Sequence, residues 1–281
     1  MPAKKPTAIL LGSKPGAVVA LSILLERGWN IKYVVVSKSI HHPWIAGPTI
    51  ADLAREKGIK VIEQSEIPGD ETFDFVISYM YRHLVKTDVI TMAERAAVNF
   101  HAGLLPGFGG WAFYNVAILE NVSEYGCTCH YMDEGFDTGP IFKVRRFPVK
   151  MALETAYSLE KKTQREMIKL FIDFCDIAET QECLPFEEQD KTKFRYLSQT
   201  EFQALKRIPS GADDETIQKF ARAFWFPPYD CAHILIGETK VEIIPSIVKD
   251  ELAKMIHLDD LDDLQQAAKN YIKRRGTGFP K

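Results

Sequence analysis

Two loops of this chain carry an amide, an imidazole and a carboxylate, a set suited to acyl-transfer chemistry. Asn99-Phe100-His101 closes an apolar run that begins at Ala96, and Asp137 sits in the loop Asp133-Glu-Gly-Phe-Asp-Thr-Gly139. Residues i and i+2 of a strand point the same way, so Asn99 and His101 should share a face. Next to them runs a glycine-dense loop, His101-Ala-Gly-Leu-Leu-Pro-Gly-Phe-Gly-Gly110, whose backbone can approach a ligand closely. Such groups can stabilise charge on a carbonyl oxygen and move a proton. Taken singly, each has a plainer use. A lone histidine is more often structural, and an aspartate before Thr-Gly more often shapes a turn.

These loops need a sheet to carry them. Ala8–Leu11, the turn Gly12-Ser-Lys-Pro-Gly16, an apolar stretch Ala17–Leu25 closed by Gly28, and Ile31–Val36 read as strand, turn, helix, strand. That is the opening of a parallel α/β sheet. The cycle repeats with a helix at Ala51–Lys57 and strands at Ile59–Ile62, Phe73–Ser78 and Ala96–Phe100. Near-continuous Val, Ile and Leu predict a sheet covered on both faces. Ligands of such sheets bind beyond the carboxyl ends of strands, where Asn99 and His101 fall. The turn at Gly12 and Gly16 lacks the G-x-G-x-x-G spacing, and Val36-Ser37-Lys38 stands where an acidic residue would end the second strand. Both points argue against a dinucleotide site.

A helix at about Ala112–Glu120 and β-rich segments at Tyr125–Asp133 and Ile141–Val149 follow. A long helix then begins near Ala152, with a buried stripe at Met167, Leu170, Phe171 and Phe174. These complete a first domain, 1–185. The texture then changes. Residues 186–281 predict a helix at Asp213–Phe224 capped by Asp213 or Asp214, and a break at Trp225-Phe-Pro-Pro-Tyr229. A hairpin around Gly237-Glu238 comes next, then an acidic amphipathic helix from Asp250 to about Tyr271 and a mobile end, Arg274–Lys281. The expected fold is α/β, an open, mostly parallel twisted sheet with a smaller C-terminal α+β domain.

The chain has 281 residues, 46% apolar and 26% charged, with a formal net charge of −3. Those values suit a soluble globular protein. Proteins that grip nucleic acid through its phosphates usually carry a basic excess, so no nucleic-acid partner is expected. No apolar run is long enough to span a bilayer, and Met1–Thr7 lacks a signal-peptide pattern, so no membrane association is expected. Five scattered cysteines, Cys127, Cys129, Cys175, Cys183 and Cys231, read as reduced thiols of a cytoplasmic protein. Cys127 and Cys129 should share a strand face, without the second pair or histidines of a zinc site; packing is expected there, and no metal. His41, His42 and His257 belong to no motif and are expected on the surface.

Asn99-Phe-His-Ala-Gly-Leu-Leu-Pro106, with Gly126-Cys-Thr-Cys-His-Tyr-Met-Asp-Glu-Gly-Phe-Asp-Thr-Gly139, resembles the formyltransferase family. That family's usual form is Asn-x-His-x-Ser-Leu-Leu-Pro, then Gly-Val-Thr-x-His and Asp-x-Gly. The resemblance covers residues 8 to about 180 well and 213–245 more loosely. It implies a Rossmann-like core and transfer of a formyl group from 10-formyltetrahydrofolate, as co-substrate, to an amine by Asn99, His101 and Asp137. Asn99 and a protonated His101 would donate to the oxygen that takes up charge, each such donor contributing roughly 2.7–4 kcal/mol. Asp137 would orient the imidazole, and the amine proton would leave to His101, Asp137 or a held water. Two departures stand out: Gly103 replaces the family's serine, and Gly109-Gly110 replaces the common Arg-Gly.

Ser78-Tyr-Met-Tyr-Arg-His-Leu-Val85 resembles the folate loop of the amino-sugar branch. By that resemblance His83, Leu84 and Val85 meet the pterin, largely through backbone groups, and Asp133, Glu134, Gly135, Phe136 and Asp137 line its other side. Trp111–Glu120 and Arg222–Tyr229 are similar to the same branch, which implies an acceptor side built from Trp111, Tyr114, Asn115, Trp225 and Tyr229. Simple packing is the competing account of the aromatics at 224–226. The implied acceptor is a nucleotide-linked amino sugar, as in lipopolysaccharide O-antigen synthesis, and relatives are often homodimers. Glycinamide ribonucleotide enzymes usually stop near the end of the long helix. Methionyl-tRNA enzymes carry a basic insertion in the glycine loop and a cationic C-terminal domain, unlike the acidic stretch 250–263. A non-catalytic folate- or nucleotide-binding protein is the alternative of another class.

Overall fold

In a computed structural model of the chain, the described residues are 5–12, 14–37, 47–250 and 252–253. Most of the tail helix expected from Asp250 to about Tyr271, the end Arg274–Lys281, and His41, His42 and His257 lie outside them.

Five strands run parallel: β1 (Thr7–Gly12), β2 (Asn30–Val35), β3 (Lys60–Ile62), β4 (Phe73–Tyr79) and β5 (Ala93–His101). A two-residue strand β6 (Gly109–Gly110) follows outside the sheet, and then β7 (Glu124–Tyr131) and β8 (Ile141–Pro148) join it antiparallel. The order across the sheet is β3-β2-β1-β4-β5-β7-β8. Apolar residues alternate between two cores. Ala8, Leu10, Phe75, Ile77, Val98 and Phe100 face one side, and Ile9, Leu11, Val35, Ile62, Val76 and Ala97 face the other.

The first side is covered by α1 (Pro15–Glu26) and the long helix 156–180, in which Met167, Leu170, Phe171 and Phe174 are fully buried as their spacing predicts. Phe174 lies at the centre, its ring 5.6 Å from Phe75 and Phe100 and 5.2 Å from Phe142. The helix starts at Ala156 and not near Ala152. Thr155 and Ser158 form a reciprocal capping box, and Met151–Leu153 is a separate 3-10 turn; a cap satisfies the orphan amides of the first turn and so fixes where a helix begins. Cys127 and Cys129 do share a face and are buried in this core. Burial pushes the Cys127 thiol up to about 12.

With Val98 and Phe100 turned to the first side, Asn99 and His101 must face the opposite way at the carboxyl end of β5. The long helix is α5 (Ala156–Thr180), and the other helices among the described residues include α2 (Ile50–Glu56), α3 (Thr87–Ile90), α4 (Phe113–Leu119), α6 (Gln199–Leu205) and α7 (Asp214–Phe224). Asp213 caps α7 by accepting from the Thr216 amide at 2.9 Å. The apolar core continues past residue 185, taking in Ile208, Ala223, Phe224 and Ala232. Asn115 on α4 donates to the Ala223 carbonyl on α7 at 2.6 Å. A short strand β9 (Tyr196–Leu197) pairs with β6, and the hairpin β10 (His233–Ile236) and β11 (Thr239–Glu242) turns at Gly237, φ +61°. Among the described residues no helix is long and apolar enough to cross a membrane.

Phe174→Ala empties the junction of five aromatic contacts and should cost about 3–5 kcal/mol in urea denaturation. An unchanged midpoint would show that the core does not rest on this ring.

Candidate active site

A cleft of about 450 Å³ opens at the carboxyl ends of β4 and β5. Three strands set its floor. Ser78 on β4 pairs with Asn99 on β5, which pairs with His130 on β7, so the three side chains form a row across the sheet. Ser78 Oγ donates to Asn99 Oδ1 at 2.7 Å, which turns the Asn99 amide nitrogen to His130 Nε2 at 3.0 Å. His130 Nδ1 lies 2.7 Å from the Tyr131 carbonyl and must donate there. With Nδ1 protonated, neutral His130 accepts at Nε2 from Asn99, and one Asn99 N–H remains for a ligand.

His101 is 6% exposed, and its ring meets the edge of Phe113 at 4.9 Å. Its Nε2 is 2.6 Å from the Phe108 carbonyl, and its Nδ1 is 3.5 Å from Asp137 Oδ1. Both nitrogens therefore face oxygen, an arrangement that a charged imidazolium satisfies. The departure at Gly103 makes it possible: a Cβ there would stand 2.5 Å from the Phe108 oxygen and 2.8 Å from His101 Nε2. To donate to a bound carbonyl, His101 Nε2 must first exchange the Phe108 oxygen for it. Thr128, wholly buried, braces the same stretch, donating to the Gly103 carbonyl at 2.8 Å and accepting from the Leu105 amide at 3.1 Å.

Asp137 lies where the second loop meets the first. Its carboxylate accepts from the Gly110 amide at 3.0 Å and is 3.5 Å from His130 Nε2 as well as from His101. Burial alone would push this carboxyl up. The His101 charge, with the Gly110 amide adding to it, outweighs burial and holds the group well below the usual carboxylate range. The backbone of Asp137 is in the left-handed region at φ +59°, a conformation that persists only where surroundings enforce it. Gln189 does so, donating to the carbonyls of Asp137 at 2.9 Å and Gly139 at 2.6 Å.

Neither His130 nor Gln189 was singled out from sequence. His130 stands in the Thr-x-His pattern quoted above, but its alignment with Asn99 depends on antiparallel register. Gln189 lies in a polar stretch without periodicity.

The other expected residues are distributed along the cleft. His83, Leu84 and Val85 line one end; Val85 turns its side chain into the second core, so only its backbone is available, and Leu84 is 38% exposed. Gln64 fixes this loop, donating to the Leu84 carbonyl and accepting from the Lys86 amide. Asp133, Gly135, Phe136 and Asp137 line the opposite wall. Asp133 accepts from Gly135 and Thr138 and so closes the turn. Glu134 is exposed and is not among the residues that line the cleft.

Trp111, Tyr114, Asn115 and Tyr229 line the far end. Asn115 is also engaged, since its amide nitrogen holds α7. Trp225 is not among the residues that line the cleft, whereas its neighbour Phe226 is. Helix α7 ends at Phe224 and the chain continues extended through Trp225, so neighbouring side chains alternate in direction.

The sequence model of the formyl transferase family matches residues 57–174. This segment is a formyl transferase domain. It contains Asn99, His101 and Asp137, and both loops that carry them. GDP-perosamine N-formyltransferase of Brucella melitensis is 32% identical over 181 residues, covering 62% of this chain and 65% of that protein. The chain thus spans just under two thirds of that relative's length. Methionyl-tRNA formyltransferase of Caldanaerobacter subterraneus is 26% identical over 154 residues, half of each chain. Among solved structures, an N-formyltransferase from Helicobacter canadensis in complex with folinic acid and dTDP-3-aminofucose has a TM-score of 0.71 at 23% identity. It covers 85% of this chain and 86% of its own. A 4-N formyltransferase from Francisella tularensis scores 0.69 at 16% identity, covering 86% and 98%. At these identities the likeness establishes the fold, which extends past the formyl transferase domain into the C-terminal elements.

Because the Asp137 carboxyl is depressed from its ordinary 3.8, its contribution to stability is complete above about pH 4 and is lost as the pH falls toward the folded value. Asp137→Asn should therefore be less stable than the parent at pH 7, with the gap narrowing below about pH 4 in urea titrations. A gap independent of pH would contradict the charged pairing.

Proposed function

We propose that the protein is an N-formyltransferase that moves a formyl group from 10-formyltetrahydrofolate to the amino group of a nucleotide-linked amino sugar. The observation that carries this reading is the convergence of Asn99, His101 and Asp137 in the middle of one continuous cleft. The relatives give it a direction: one acts, by name, on GDP-perosamine, and a neighbour of the same fold holds folinic acid and a dTDP-linked amino sugar.

The residues present fit the folate. The 81–85 loop is pinned by Gln64 with backbone groups on the cleft, and Leu84 and Phe136, 38% and 44% exposed, offer apolar side chains on the same cleft for a ring system to lie against. Bound there, 10-formyltetrahydrofolate supplies the activated one-carbon unit. The free N–H of Asn99 donates to the formyl oxygen as it gains charge. His101, once it releases the Phe108 carbonyl, adds a second donor, and Asp137 stabilises the charged ring and fixes its orientation. As the amine nitrogen bonds to the formyl carbon and the bond from that carbon to the folate nitrogen breaks, the amine proton would pass to the Asp137 carboxylate or a water held by it and on to the departing nitrogen, so that tetrahydrofolate leaves neutral. Residues after 185 supply the acceptor end, through Phe226 and Tyr229, and we propose that they act as the acceptor-side domain.

Tetrahydrofolate release, followed in the ultraviolet, should appear with one member of a panel of GDP-, dTDP- and UDP-linked amino sugars. His101→Ala should lower kcat by roughly 10²–10³-fold, the usual cost of one such donor, with folate affinity near that of the parent. Silence across the panel together with formylation of methionyl-tRNA would assign the acceptor to the other branch.

A further inference from the structure

Lys206 is the only lysine or arginine buried among the described residues, at 7% exposure. It caps the carboxyl end of α6 and lines the acceptor end of the cleft, beside Gln203, Phe226 and Tyr229. Its Nζ lies 5.2 Å over the Phe202 ring. The carboxylates nearest in charge, Asp230 and Glu242, are both held by Lys240 at 3.0 Å, and Lys206 forms no ion pair among the described residues. Burial is the largest influence on its ammonium and pushes its pKa down. Taking a lysine out of water is costly when the nearest carboxylates are engaged by another cation, and the cost is offset when an anion enters the cleft.

We propose that Lys206 is the phosphate-binding residue of the acceptor subsite, taking the diphosphate of a nucleoside diphosphate. The inference rests on the acceptor reading above. Lysine binds phosphate as a point charge. The rings of Phe226 and Tyr229 on the same wall give a base something to lie against, and Tyr229 is 44% exposed. The cleft offers one other source of anion, the carboxylates of a folate tail. The folate loop, however, has its own exposed cations in Arg82 and Lys86, and Lys206 stands with the acceptor-side aromatics.

Calorimetric titration of the full chain with GDP, dTDP, UDP and inorganic pyrophosphate, each nucleotide compared with its nucleoside, tests this. Lys206→Met should weaken the best nucleoside diphosphate and pyrophosphate at least tenfold and leave the nucleoside and 5-formyltetrahydrofolate as in the parent. Lys206→Arg should keep most of the affinity. Equal losses for nucleoside and nucleotide would make Lys206 a packing residue. Loss of folate affinity alone would give it to the folate tail, and failure of the parent to bind any nucleoside diphosphate would also overturn the assignment. If Lys206→Met does not fold, Lys206→Gln is read the same way. Because these are binding measurements, they stand apart from the transfer assay: diphosphate affinity lost in the variant with no tetrahydrofolate released by the parent would uphold Lys206 and sink the transfer reading.

Discussion

The buried Asp137 carboxylate joins the pieces of the site. It takes the Gly110 amide, faces His101 and His130, and is itself held by Gln189 through its backbone. A charge removed from water survives only when paired and hydrogen-bonded. Its partners here come from β5, β7, the glycine loop and the stretch after α5. Losing any one leaves the others around an under-satisfied anion, so one interaction both fixes the site and orients the His101 imidazole. The left-handed backbone at Asp137 is maintained by that network.

A second constraint acts on the glycine loop. Gly109 donates to the Arg195 carbonyl and Arg195 to the Pro106 carbonyl, while β6 pairs with β9. The segment after residue 185 thereby positions the loop whose Phe108 carbonyl meets His101. Chemistry placed on a formyl transferase domain is thus braced by residues outside the matched segment, and the cleft draws walls from both.

Much of this was legible in the sequence because the signals were long or periodic. The alternation of Ala96–Phe100 put Asn99 and His101 on one face, and the stripe on α5 was read residue by residue. What escaped was short or depended on register. Two-residue strands such as β6 and β9 have no period to detect. Helix α6 did carry a signature, Ser198-x-x-Glu201, and the two residues do form a capping box, but the apolar stripe behind it is too brief to draw attention. His130 became visible only when β7 was laid antiparallel on β5. Which of Trp225 and Phe226 turns to the cleft is set by where α7 stops, a boundary that the sequence marks only loosely.

The central claim is that a charged Asp137 makes His101 competent in formyl transfer. Steady-state kinetics of Asp137→Asn, with 10-formyltetrahydrofolate and the amino sugar that the parent accepts, test it most directly, because the amide keeps the shape and removes the charge. The account predicts a kcat lower by at least about 10²-fold, the scale of a general acid–base contribution, with folate affinity preserved. A kcat and pH–rate profile equal to those of the parent would contradict it.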